Sequence, residues 1–320
     1  MSANPSVFIC GATGSQGGAL AHQLRELNWG VHATVRDLTS PAAQSLEAAG
    51  VHLTQGDWDD SVSLESGMIG CNKLFLCLLP DFSDMDRERR QAERIVKIAK
   101  AAGISQVVSS TSMGVFTLED TKGNVTSDSF MARHLAGKKG VEEAIRNGGF
   151  AHWTFLRPSF FMANFLQPKV ARYPEPREKG TWTTAMTPKT PFALIDHLDI
   201  AKFAVVAFTD PLRFHDRAIG LASEMLTVQE TLDILGRAAG RSLKAIFMTD
   251  EEIAEKEKNS DVFTNSQVSM RYISKYIDMS EIASVIRPTP FEDFLEREKE
   301  SLKETYPSGM KSNSSAQLVI

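Results

Sequence analysis

The chain has 320 residues, 42% of them hydrophobic and 23% charged, and a net charge of −5. These proportions belong to a globular protein of one large domain or two ordinary ones. No apolar run approaches the roughly 20 residues of a membrane span, and an acidic balance without a long basic stripe argues against binding nucleic acid through its phosphates. Residues 1–6 lack the basic region and apolar core of an export signal, and Cys10, Cys71 and Cys77 lie in or beside apolar stretches. A cytoplasmic location with buried, reduced thiols is therefore expected, rather than a disulfide framework or a metal site.

Val7-Phe8-Ile9-Cys10 predicts a buried strand, and the residues that follow it, Gly11-Ala12-Thr13-Gly14-Ser15-Gln16-Gly17-Gly18, form a glycine-rich turn into a helix with Leu20, Leu24 and Leu27 at helical spacing. Gly11 and Gly14 let the backbone turn beside a phosphate, and Gly17 and Gly18 let the helix pack against the sheet. The free N–H groups at the start of that helix would face a pyrophosphate, so this stretch predicts a dinucleotide site. A second strand over residues 31–35 ends in Arg36 and Asp37. An arginine there pairs with a 2′-phosphate, whereas an acid accepts from a ribose 2′-hydroxyl; Arg36 comes first, which favours NADP(H), with Asp37 and NAD as the alternative.

The pattern repeats with a helix over 42–49, a strand over 51–54 and the turn Gln55-Gly56-Asp57-Trp58-Asp59-Asp60. Asp57 at a strand end could accept from the adenine with Trp58 shielding the ring, while Asp59 or Asp60 caps the next helix. Residues 73–79 read as a central strand, 84–102 as a helix whose arginines 87, 89 and 90 face solvent, and 106–109 as a strand running into Ser110-Thr111-Ser112. Residues 113–130 form a polar loop long enough for a lid, followed by a helix through His134 and Lys138 to about 147 and a sixth strand over 153–156. Six βα units in this order predict a doubly wound parallel sheet.

After Arg157-Pro158, dense aromatics broken by prolines read either as the lining of an apolar pocket or as an ordinary core. A helix over 199–208, a short strand from Ala218, a helix over 227–239 opened by a Thr227/Glu230 capping box and a charged helix over 250–259 follow, and the chain from about 307 reads as disordered.

The run from Gly11 to Gly17, Arg36, His134-x-x-x-Lys138, the stretch Leu156-Arg157-Pro158-Ser159-Phe160-Phe161-Met162-Ala163-Asn164, and Ile195-Asp196-x-x-Asp199-Ile200-Ala201 together resemble the NmrA-like branch of the atypical short-chain dehydrogenase/reductases. Isoflavone-reductase-like and quinone-reductase-like proteins are similar. The resemblance implies an α/β protein. Its NADP-binding Rossmann domain would span 1–157 with 193–210, and a smaller, discontinuous α+β substrate domain would span 158–192 and 211–306, with the active site in the cleft between them. The implied cofactor contacts are Gly11, Thr13, Gly14, Ser15, Gln16, Gly17, Arg36, Asp57, Trp58, Leu79, Lys138, Pro158 and Phe161. The implied substrate pocket comprises Phe160, Phe161, Asn164, Phe165 and Trp182, and the implied catalytic groups are Lys138, His134 and Thr111. Thr111 resembles the Ser/Thr after the fifth strand of related enzymes, and His134 stands where they carry the tyrosine of a Tyr-x-x-x-Lys pair.

Four-residue spacing puts His134 and Lys138 on one helix face. A lysine there, Lys138 rather than its neighbour Lys139, could bond the nicotinamide ribose and stabilise charge on a reduced carbonyl. The histidine could donate a proton or merely fill the tyrosine's space. Two functions follow as expectations. One is an NADPH-dependent reductase of a carbonyl or conjugated double bond in an apolar or aromatic small molecule. The other is an NADP(H)-binding redox sensor that acts on a protein partner. A third is a protein whose cofactor is structural or is used transiently in an isomerisation.

Overall fold

The computed structural model describes residues 5–120, 130–259 and 261–307. The chain divides into two compact units. One comprises the residues up to Pro158 with 197–221 and 283–286; the other comprises 159–196, 222–282 and the residues from Arg287 onward.

In the first unit the apolar runs form strands β1 (Ser6–Ile9), β2 (Gly30–Val35), β3 (His52–Gln55), β4 (Lys73–Leu76), β5 (Gln106–Ser110) and β6 (His152–Pro158). Between them run helices α1 (Ser15–Glu26), α2 (Pro41–Ala48), α3 (Ser61–Gly67), α4 (Arg87–Ala101), α5 (Val115–Glu119) and α6 (Phe130–Asn147). The strands lie parallel in the order β6-β5-β4-β1-β2-β3. Every residue of β1 and β5 is buried, as a parallel sheet covered by helices on both faces requires, whereas the outer strand β3 exposes His52 and Gln55. The order turns back between β1 and β4, and open α/β sheets bind ligands outside the strands' carboxyl ends at such a point.

A seventh strand, Arg217–Leu221, pairs parallel with β6 in the register Arg217↔Thr154 to Leu221↔Pro158. The sequence reading counts six strands and assigns residues 211–221 to the smaller domain. Hydrogen bonding to the edge of the larger sheet puts this strand in the first unit instead, because its short apolar run names a strand but not its partner. The helix His197–Thr209 also belongs to this unit and packs on α1, where Gln23 Nε2 donates to the Leu198 carbonyl at 3.3 Å. The 113–130 loop contains α5, and its residues 121–129 lie outside the described residues, as does the chain beyond 307.

The second unit is a small α+β body. Phe160–Phe161, Phe192–Ile195 and Glu224–Leu226 form a three-stranded sheet, and Thr181–Thr184 pairs with Lys244–Phe247. The helix Val228–Ala239 starts at the expected capping box, with Thr227 and Glu230 bonding each other's backbone N–H.

Candidate functional site

The site begins where β1 meets α1. Gly11 adopts φ +81°, and a Cβ there would lie 2.8 Å from the Cys77 carbonyl oxygen. A Cβ on Gly17 would come within 2.3 Å of the Gly11 carbonyl oxygen, so neither position admits a side chain. Gly14 is the N-cap of α1 and no side chain caps that helix, which presents its positive end to an anion. A dinucleotide pyrophosphate fits this cradle by its chemistry, since backbone N–H groups bind it without discriminating side chains. Thr13, Gly14 and Ser15 are exposed around the turn, and Gln16 is tied to the end of β5, its Oε1 accepting from Ser110 Oγ at 2.6 Å.

At the end of β2, Arg36 is exposed and forms no ion pair among the described residues. Asp37 is occupied: its Oδ1 accepts from the Thr39 hydroxyl at 2.6 Å and the Thr39 N–H at 2.8 Å, and these bonds hold its carboxyl below the usual range. Of the two neighbours, Arg36 is the one left to meet a phosphate.

The turn after β3 is built mainly for itself. Asp57 Oδ1 accepts from the N–H groups of Asp59 and Asp60, and Asp60 caps α3 through Val62 and Ser63. Asp59 gathers Arg87, Gln91 and Arg94 from α4, and half-buried Trp58 packs against the core below.

Beyond β4, Lys138 of α6 is 7% exposed, and its Nζ donates to the Leu78 carbonyl at 2.9 Å and to Glu88 Oε1 at 2.6 Å. Leu79, next in the chain, is 70% exposed. One turn before Lys138, the His134 ring lies 6.0 Å from Phe82, which also meets Phe130 at 5.4 Å. The buried His134 Nδ1 has no hydrogen-bond partner among the described residues. Burial, then the Lys138 charge, lowers the His134 pKa to about 4, so the ring is neutral at pH 7 and the imidazolium needed for proton donation is scarce. Of the two roles open to His134, this favours the ring that fills the tyrosine's space over the proton donor.

Thr111 is engaged within the protein. Its hydroxyl donates to Glu142 Oε1 at 2.7 Å, inside a buried network in which Arg157 bonds both Glu142 and Glu119. The Arg157 guanidinium lies 4.1 Å from the Phe116 ring centre. Burial opposes the Arg157 charge, but the two carboxylates outweigh it and raise its pKa. Thr111 thus ties the end of β5 to α6, and Ser110 is the hydroxyl that bonds Gln16 of the glycine turn. Pro158, the buried last residue of β6, accepts from the Met113 N–H at 3.2 Å.

In the second unit, Phe160, Phe165 and Trp182 are buried against one another with ring centres 5.5–5.9 Å apart. They fill its core, which corrects their assignment to a pocket lining. Phe161, with Lys169 Nζ 5.6 Å from its ring centre, and Asn164 stay half-buried. Burial raises the thiol pKa of all three cysteines, that of Cys71 to about 11. Among the described residues no helix is long and apolar enough to cross a membrane, and no cluster of three or more His, Cys, Asp or Glu could hold a metal ion.

Glu88 was missed in the sequence because it stands among surface arginines. Its signal was helical phase: positions 88, 92, 95 and 99 share the buried face of α4.

Among curated proteins, the NAD(P)H azoreductase of Xenophilus azovorans is 29% identical over 248 residues, covering 77% of this chain and 78% of its own. Among solved structures, the Citrobacter sp. triphenylmethane reductase complexed with NADP(H) superposes with a TM-score of 0.68 at 20% identity, over 91% of this chain and 99% of that one. The negative transcriptional regulator NmrA in complex with NADP matches at TM-score 0.64 and 18% identity, over 99% and 100% of the two chains. The description of the NmrA-like family matches residues 3–295, and the chain belongs to that family.

Proposed function

We propose that the protein is an NADPH-dependent reductase that delivers hydride to a carbonyl or conjugated carbon–carbon double bond of an apolar or aromatic small molecule. The observation that carries this reading is the buried Lys138 ammonium, tied to the segment after β4 that walls the glycine turn. Leu78, whose carbonyl it bonds, follows directly on Cys77, whose carbonyl walls Gly11. NADPH, when bound, supplies the hydride. The chain's residues do the rest: the α1 N-terminus and Gly11–Gly17 turn take the pyrophosphate, and Arg36 takes the 2′-phosphate. An ammonium has three N–H donors, and Leu78 and Glu88 use two, so Lys138 keeps one for the ribose hydroxyls or for negative charge developing on the acceptor. The NAD(P)H azoreductase among the relatives supports the reductase reading.

The test is NADPH consumption with quinones, enones, flavonoid-like ketones and azo dyes, run beside an NADPH binding titration. Turnover that Lys138→Ala abolishes while the variant still binds cofactor supports the reading; tight binding without turnover on any acceptor sinks it. One observation favours a second reading, a redox sensor that binds NADP(H) and acts on a protein partner: His134 replaces the tyrosine and is neutral, so no ready proton donor stands beside Lys138. A change in shape or association state on exchanging NADPH for NADP, without turnover, would support it.

A further inference from the structure

Around the start of α4, Arg87, Arg89 and Arg90 face solvent and pair with surface acids: Asp59 and Asp81, Asp86 and Glu93, and Asp84. Glu88 points the other way. It pairs with Lys138 at 2.6 Å, the two side chains being 3% and 9% exposed. A buried ion pair is a poor way to stabilise a fold, since apolar residues of similar volume do as well or better, so this one calls for another role. The two helices also lie close here: a Cβ at Gly137 would come within 3.3 Å of the Met85 carbonyl oxygen, a tight contact, and within 3.4 Å of Glu88 Oε2, an ordinary one.

We propose that Glu88 is a positioning residue for Lys138. Its carboxylate and the Leu78 carbonyl fix two of the three ammonium donors, which aims the third at the ligand side. The carboxylate also balances a charge that otherwise stands buried near the neutral His134 and the Cys77 thiol, both of which feel Lys138. Without Glu88 the lysine is free to leave the Leu78 carbonyl, and the donor loses its direction. The inference rests on reading Lys138 as the cation that serves cofactor and acceptor.

Full-length wild type is compared with Glu88→Gln, Glu88→Asp, Gly137→Ala and Lys138→Ala, by NADPH titration, by steady-state kinetics with benzoquinone, and by NMR of the lysine ammonium groups. Glu88→Gln should keep NADPH affinity within about threefold while kcat falls about tenfold at little changed KM, the mark of lost orientation rather than lost binding. Glu88→Asp, which keeps the charge on a shorter arm, should recover part of kcat, and Gly137→Ala should lower it severalfold. A slowly exchanging ammonium signal, absent from Lys138→Ala, should weaken or vanish in Glu88→Gln. Wild-type kcat and a persistent signal in Glu88→Gln overturn the inference. If Glu88→Gln does not fold, Glu88→Asp decides, and wild-type kcat with an unchanged ammonium signal there overturns it. Unimpaired binding and turnover in Lys138→Ala reject the functional reading instead. If wild type shows no turnover, the ammonium signal alone decides on Glu88.

Discussion

His134 makes the stability of this protein depend on pH in a window where an ordinary histidine would not. Burial, with Phe82 against the ring and the Lys138 ammonium one helical turn away, lowers its pKa from 6.5 to about 4. Between those values the unfolded chain binds a proton that the native state refuses, so the stability held above pH 6.5 is lost as pH falls towards 4. The full displacement corresponds to about 3 kcal/mol, of which about 2 kcal/mol falls between pH 7 and pH 5. Replacing the ring by leucine removes the group. Urea unfolding of wild type and His134→Leu at pH 7, 6 and 5 should show the difference between them moving in the variant's favour by about 2 kcal/mol. The burial-lowered His32 and every surface carboxylate act on both curves and cancel in the difference. Parallel curves would refute the reasoning, as would a proton NMR titration of His134 with a midpoint near 6.5. The same shift bears on turnover: a rate profile with a step near pH 6.5 that His134→Leu abolishes would return the proton-donor role to the ring.

Gly17→Ala puts a methyl 2.3 Å from the Gly11 carbonyl oxygen, so the turn must open and NADPH affinity should fall by more than about tenfold by fluorescence titration. Arg36→Ala should weaken NADPH by about 1 kcal/mol or more and leave NADH unchanged; equal losses for both would remove Arg36 from the 2′-phosphate. Thr111→Val deprives buried Glu142 of a donor and should cost about 1–3 kcal/mol in urea melts with NADPH affinity intact. Lost turnover at full stability would instead make that hydroxyl catalytic. Arg157→Met leaves the Glu142 and Glu119 carboxylates facing each other and should lower stability by about 3–5 kcal/mol, read from the same melts.

What the sequence shows and what it hides at this site divide along one physical line. Gly11 and Gly17 announce the cradle because much of their requirement is local: the positive φ of Gly11 and the contact of Gly17 with the Gly11 carbonyl belong to the segment itself. Arg36 and Asp37 are legible together for the same reason, since the bonds that occupy Asp37 come from Thr39, two residues on. Thr111 and Lys138 are different. Each stands at the motif position the resemblance assigns, yet its partner is 31 residues away in one case and 50 in the other, and neither spacing is periodic. The same holds for Phe160, Phe165 and Trp182, whose composition predicts that aromatics gather but not whether they gather round a ligand or round one another.

Phase is the signal that could bridge part of that distance. An acid written among arginines reads as solvated until its position is set against the helix it belongs to. Glu88 shares a face with Ala92, Ile95 and Ala99, all of them buried, so the periodicity that names the apolar face of α4 also says that this carboxylate enters the core. A charge on a buried face needs a partner, and a lysine in the next long helix, beside a glycine that lets the two helices approach, is where to look for it. Helical phase therefore identifies Glu88 as the anomaly, and the Lys138 ammonium explains why the fold tolerates it.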